Sequence, residues 1–330
     1  MKIRIRILTP VHIGSGEDIS PMEYLVDREK GLFHRLNMDS LFRDEKFQPY
    51  RERFIKEASH SRYIGQIVSD HSILKRHILY TLSISAEARQ QILTNPTNVK
   101  AFIKSAGRVY IPGSSLKGSI LSALLYYVIK ENYPSLTDQQ KSNIQEILKF
   151  RKKENRQDYE SFLNIAFSWI APHSRVEKKK FAPWLDISDS NLDSPESCLQ
   201  ISLARVRGAL SKKELPILYE SLKEDRVFEA EIKSRETPIT EKKILEIVHN
   251  FYLRVARKDE VGHPIRNKWL SEQYLLRIGQ GSTAFSTSLL LLSEELGLRY
   301  FVSPPRTRKR IGDYIPMGFV QLTLLEVTRD

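Results

Sequence analysis

At the start of the chain, apolar and basic residues take turns: Ile3, Ile5 and Ile7 fall on one side of an extended segment and Lys2, Arg4 and Arg6 on the other. This period-two alternation predicts a β-strand over residues 2–8 with one core face and one basic face. Thr9-Pro10 ends it, and His12-Ile13-Gly14-Ser15-Gly16 reads as a flexible loop. Residues 24–36 fit a hairpin around Lys30-Gly31. Residues 40–78 are polar, basic and helical in pattern, which marks an insertion, and a strand is expected over 78–84. Tyr110-Ile111-Pro112-Gly113 ends a strand and turns into a helix that begins near Ser114 or Ser115. There Leu116, Ile120, Leu124 and Val128 recur every four residues and form one apolar stripe.

A second polar helical stretch covers 131–165, dense in Lys and Arg from Lys149 to Arg156. Strands are expected at Pro183–Ile187 and Leu199–Val206, with Asp189 to Pro195 as the turn between them, and again at Val227–Ile232. From about Thr240 a helix carries Ile244, Ile247, Val248, Phe251 and Val255 on one face. Leu275 to Ile278 runs into a second glycine loop, Gly279-Gln280-Gly281, and then a helix to about Leu296. A basic segment from Pro304 to Arg310 precedes a closing strand over Phe319–Val327. Strands and helices in this order suit α+β domains with helices on one sheet face.

Composition narrows the partners. The 41% hydrophobic fraction supports a packed core. The formal net charge of +12 favours a polyanion, either nucleic acid or an acidic membrane surface. Cys198 is the only cysteine, so an intrachain disulfide and a cysteine zinc cluster are excluded, in keeping with a reducing cytoplasm. No apolar run approaches the ~20 residues of a membrane span.

Candidate chemistry gathers at three glycine-bearing segments. Pro112-Gly113-Ser114-Ser115-Leu116-Lys117-Gly118-Ser119 places hydroxyls and a lysine at a helix start, where free N–H groups and the helix dipole favour a phosphate. An ordinary N-cap beside a solvated lysine gives the same pattern. It is not a P-loop, because the lysine precedes the second glycine. His12, Gly14, Ser15 and Gly16 follow a strand. Arg277, Gly279, Gln280, Gly281 and Ser282 again set glycines, a hydroxyl and an arginine between a strand-like run and a helix. Arg306-Thr307-Arg308-Lys309-Arg310 adds a cationic run, a pattern that a solvated face also produces. Catalytic patterns are thin. The histidines lack metal-ligand spacing, His12 and His34 are the candidate general bases, and Asp186, Asp189 and Asp193 read as turn residues.

These segments carry a resemblance. His12-Ile13-Gly14-Ser15-Gly16 followed by Ile19-Ser20-Pro21-Met22-Glu23-Tyr24, the motif Tyr110 to Gly118, the Gly279-Gln280-Gly281 loop and the closing Gly318-Phe319-Val320 strand resemble the RAMP superfamily over nearly the whole chain. Length and the Ile19–Tyr24 segment are similar to the Csm-type subunits that cap the 3′ end of the guide RNA in type III-A CRISPR effectors. The resemblance implies two ferredoxin-like (RRM-like) domains with helical insertions, divided as 1–210 and 211–330. It implies RNA contacts at His12, Gly14, Ser15, Gly16, Ser114, Ser115, Lys117, Gly118, Arg277, Gly279, Gln280, Gly281, Arg308 and Lys309. The expected partners are guide RNA (crRNA) and the adjacent RAMP backbone subunit, with target RNA and a host trimming nuclease as further candidates. No cofactor, metal or catalytic residue is expected. The competing class is a metal-independent endoribonuclease that processes guide precursor. The first strand departs from many RRMs in carrying Arg4 and Arg6 where aromatics would stack bases.

Overall fold

The computed structural model describes residues 1–60, 62–142, 184–207, 214–235, 239–258, 274–282, 286, 290–297, 308–311 and 315–325. The expected helix over 143–165, Arg306-Thr307 and the end of the closing strand lie outside these.

In chain order the strands are β1 (Lys2–Ile7), β2 (Gly14–Ile19), β3 (Tyr24–Asp27), β4 (Leu32–Leu36), β5 (Ile78–Ile84), β6 (Val99–Phe102), β7 (Lys104–Ser105) and β8 (Arg108–Val109). They continue as β9 (Leu185–Ile187), β10 (Leu199–Arg207), β11 (Glu214–Leu222), β12 (Val227–Ser234), β13 (Leu275–Arg277), β14 (Arg308–Ile311), β15 (Ile315–Pro316) and β16 (Phe319–Leu325). The helices are α1 (Met38–Arg43), α2 (Arg51–Ala58), α3 (Ile64–Ile67), α4 (His71–Lys75), α5 (Ala86–Thr94), α6 (Gly113–Asn132), α7 (Pro195–Cys198), α8 (Glu241–Lys258) and α9 (Leu290–Glu295).

Five strands form one sheet in the order β13-β16-β1-β12-β9. Taken along the chain, β1, α6, β9, β12, α8 and β16 make the β-α-β-β-α-β succession of a ferredoxin-like unit, with β1 between β12 and β16 and both pairings antiparallel. Ile3, Ile5 and Ile7 are fully buried beneath it, in one core with the apolar stripes of α6 and α8. Each such side chain contributes about 2 kcal/mol by leaving water.

The second unit is larger, a nine-stranded mixed sheet in the order β2-β6-β11-β10-β5-β4-β3, with β14 on β10 and β15 on β14. The hairpin around Lys30-Gly31 is β3 and β4, and Gly31 takes a φ of +65° in its turn. The insertion after β4 is helical, as its pattern predicts, and has its own core of Leu41, Phe47, Phe54, Ile64, Ile67, Ile73 and Leu74. The α+β class with two ferredoxin-like units holds, and of the two expected helical insertions the one over 40–78 is described.

The division at 210/211 falls differently. It lies between β10 and β11, which pair along their whole length, from Leu199 opposite Leu222 to Arg207 opposite Glu214. The ferredoxin-like sheet also draws strands from residue 2 through residue 325. The two units thus interleave along the chain, because β1 needs β12 and β16 as neighbours. Among the described residues, no helix is long and apolar enough to cross a membrane.

Candidate nucleic-acid interface

The open face of the ferredoxin-like sheet is where an RRM would present aromatics. Here it is a charge ladder. Lys2 stands opposite Glu231 and Arg4 opposite Glu229, with 3.8 Å between the Arg4 and Glu229 charges, and Arg6 bonds Asp225 at 2.7 Å. The basic face read from β1 alone is balanced by its neighbouring elements, which sequence alternation does not register.

The glycine segments expected to act together divide into two groups. The first and the late segment meet. Gln280 donates its backbone N–H to the His12 carbonyl at 2.8 Å, Gly318 donates to Pro10, and Ile278 donates to Gly318. Gly279 has a φ of +72°, and a Cβ there would lie 2.3 Å from the His12 oxygen. Only glycine permits that approach. Gly14, Ser15 and Gly16 do not form a loop. They open β2, an exposed edge strand whose pairing with β6 shifts register between Gly14 and Asp18. Gln280 is exposed, and Gly279 and Gly281 are half-buried.

Ser114 to Gly118 stand apart, at the start of α6. The helix begins at Gly113, and its N-cap is Pro112, which has no side chain able to accept a hydrogen bond. The carboxylate of Asp189 reaches across and accepts from Gly113 N–H at 2.7 Å. The expected serine cap is thus replaced by an aspartate from the 189–195 turn. Ser114 and Gly118 are exposed, and Lys117 and Ser115 are half-buried.

Two of the expected contact residues are buried. His12 is buried, with 2% of its surface exposed, because its ring packs on Tyr219 with centroids 4.6 Å apart and its Nδ1 lies 2.7 Å from the Glu220 carbonyl. A carbonyl only accepts, so Nδ1 carries the proton. Burial lowers the His12 pKa from 6.5 to about 4, and the Lys309 and Lys104 charges push the same way against Glu220. Arg277 is also buried. It donates to the Met317 and Gly281 carbonyls and lies over the Phe319 ring at 4.7 Å, where it closes the late loop.

Sequence reading missed the hub of this region, Glu220 on β11. Its carboxylate is fully buried and accepts from Tyr80 Oη at 2.6 Å, Phe102 N at 2.8 Å and Lys104 Nζ at 2.5 Å. Lys309 Nζ donates to Gln280 Oε1 at 2.8 Å and sits over the Tyr219 ring. A chain of contacts therefore runs from Lys104 through Glu220 and His12 to Gln280 and Lys309. The other candidate base, His34, belongs to β4 and bonds Thr81 on β5 at 2.8 Å.

The basic run is part of a strand. β14 pairs with the end of β10 so that Arg310 faces Arg205, Lys309 faces Val206 and Arg308 faces Arg207. The register thus places arginines opposite one another on the two strands. Among the described residues, no group of three or more His, Cys, Asp or Glu side chains is placed to hold a metal ion.

Residues 4–298 match the RAMP superfamily. The chain belongs to this superfamily. Among curated proteins, this RAMP chain is similar to the CRISPR system Cms protein Csm5 of Methanocaldococcus jannaschii, 26% identical over 147 residues, or 41% of the chain and 33% of that protein. It is 28% identical over 146 residues to the same-named protein of Enterococcus italicus, covering 37% and 42% of the two chains. To that of Streptococcus thermophilus it is 30% identical over 145 residues, covering 40% and 39%. The matches thus span less than half the length of these relatives. Among solved structures, the fold is similar to a chain of a Csm-crRNA-target RNA ternary complex of a type III-A CRISPR-Cas system. That likeness has a TM-score of 0.68 and 21% identity, and covers 98% of this chain and 100% of the other. The crystal structure of T. onnurineus Csm5 matches with a TM-score of 0.68 and 19% identity, covering 96% and 99%.

Proposed function

We propose that this RAMP chain is a non-catalytic guide-RNA-binding subunit of a type III-A CRISPR effector, and that it caps the backbone filament at the 3′ end of the crRNA. The observation that carries the reading is the cationic register of β10 against β14 beside the joined glycine segments. Phosphates are the ligand that such a strand pair suits, and phosphate contacts fix position without reading sequence. The similarity in fold to a chain of a crRNA-bound Csm complex points to the same ligand. Gly14–Gly16, Gln280, Lys309 and Arg308 form one proposed contact region, and the start of α6 with Lys117 forms a second. The neighbouring RAMP backbone subunit, and target RNA, are the proposed partners.

The non-catalytic part rests on the placement of the two candidate bases, which among the described residues are not set as an acid–base pair. Metal-free RNA cleavage needs a base at the 2′-hydroxyl and an acid at the leaving oxygen. His12 is tied to Glu220 and His34 to Thr81, on different strands. The test is incubation of the purified chain with labelled guide precursor and unrelated single-stranded RNAs, with and without magnesium. Similar salt-sensitive affinity for all sequences, with the RNA intact, is expected. Cleavage lost in His12→Ala with binding retained would establish the endoribonuclease instead, and absence of RNA binding would remove the reading altogether.

A further inference from the structure

His12 has a second nitrogen that the fold does not use. With the proton held on Nδ1 by the Glu220 carbonyl, Nε2 presents a lone pair and can only accept. It has no partner among the described residues. The ring is nearly buried, and Nε2 points at Gly14. A Cβ at Gly14 would lie 3.1 Å from Nε2 and cover it. The φ of Gly14 lies outside the left-handed region, so backbone conformation does not require glycine there. What the missing side chain provides is access to the nitrogen from the exposed side of β2.

Around this acceptor stand the Lys309 and Lys104 ammoniums and the buried Glu220 carboxylate, which Lys104 pairs at 2.5 Å. Lys309 and Lys104 both act electrostatically on the ring, and Gln280 bonds the His12 carbonyl. A ligand fitting here brings negative charge to Lys309, whose hydrogen-bond partner Gln280 is neutral, and one hydrogen-bond donor to Nε2. An RNA backbone carries both, a phosphate and the ribose 2′-hydroxyl next to it, whereas DNA lacks the donor.

We infer that His12 is a specificity-determining residue whose Nε2 accepts a hydrogen bond from a ribose 2′-hydroxyl through the gap left by Gly14, so that the chain distinguishes RNA from backbones lacking that donor. This rests on the RNA-binding reading above and extends it from phosphate contact to sugar recognition. The ring holds the hydroxyl without removing its proton. A base whose conjugate acid ionises at about 4 is far from the value that suits general-base catalysis at neutral pH.

The test compares the affinity of the full chain for a single-stranded RNA and for its 2′-fluoro counterpart of the same sequence. The fluorine removes the donor while keeping the sugar pucker. One hydrogen bond predicts a preference for the hydroxyl form of about 2- to 12-fold. In Gly14→Ala, which covers Nε2 and leaves the Glu220 bond in place, the ratio falls to about one. His12→Asn retains a donor for the Glu220 carbonyl, removes Nε2 and gives the same result, so the comparison stands if either variant fails to fold. Equal binding of both polymers by the unmodified chain overturns the inference while leaving RNA binding intact. So does a preference that survives in the folded variants. Failure to bind either polymer overturns the RNA-binding reading and the inference together.

Discussion

Lowering the pH from neutral to about 5 protonates His12 in the unfolded chain and leaves it neutral in the folded one. The folded value is about 4 because the ring is buried against Tyr219 and Phe102 with lysines nearby, whereas the unfolded value is the ordinary 6.5. Between those values the unfolded state binds more protons, so stability rises with pH across that window and is lost as pH falls from about 6.5 towards 4. Between pH 7 and pH 5 the loss from this one ring is about 2 kcal/mol. With an unfolding entropy of about 2.1 cal/mol/K per residue and 330 residues, it lowers the melting temperature by about 3 °C. Urea unfolding at the two pH values, for the unmodified chain and for His12→Asn, isolates the effect. His34 and His249, whose pKa values burial also lowers, contribute in both proteins and cancel. The variant should lose about 2 kcal/mol less than the unmodified chain between the two conditions. Equal losses would mean that His12 is not held neutral, and the reasoning about its tautomer would fall with it.

Three further outcomes are expected. Glu220→Ala strands the Lys104 ammonium and the Phe102 N–H, and costs about 3–5 kcal/mol in urea unfolding. Gly279→Ala drives a methyl into the His12 carbonyl and destabilises by more than the about 1–2 kcal/mol of left-handed strain alone. Gly107→Ala, with a φ of +75° and open space around it, should show that strain only in parallel melts. Arg205→Ala and Lys117→Ala should each reduce the slope of log K against log salt by about 0.7 for single-stranded RNA. An unchanged slope with a lower melting temperature would make either residue structural.

Much of the architecture is written in periodicity. The alternation of Ile3, Ile5 and Ile7, the Leu116-to-Val128 stripe and the apolar face of α8 each correspond to an element with those side chains buried. Sequence reading failed where a residue's partner is remote. β11 escaped because Pro216 and Glu220 break its apolar pattern, and Glu220 is intelligible only once Tyr80, Phe102 and Lys104 surround it. The run Arg308 to Arg310 looks solvated until β10 lies beside it. The serines before Lys117 look like a helix cap until Asp189 takes that place. For the site, the segments were legible and their grouping was not. Glycine marks close approach, and which strand comes close is decided by topology.

Because β1 lies between β12 and β16, it must wait for strands made much later in the chain. On a ribosome adding about 5–20 residues each second, residues 2–7 stay without either neighbour for about 10–45 s until 227–234 are made, and wait longer still for 319–325. During that interval Ile3, Ile5 and Ile7 form an alternating segment with both strand edges free, which is the feature that invites pairing with another chain. Lys2, Arg4 and Arg6 then have a use that the finished fold conceals: like charges on successive chains resist edge-to-edge association until Glu229 and Glu231 arrive to neutralise them.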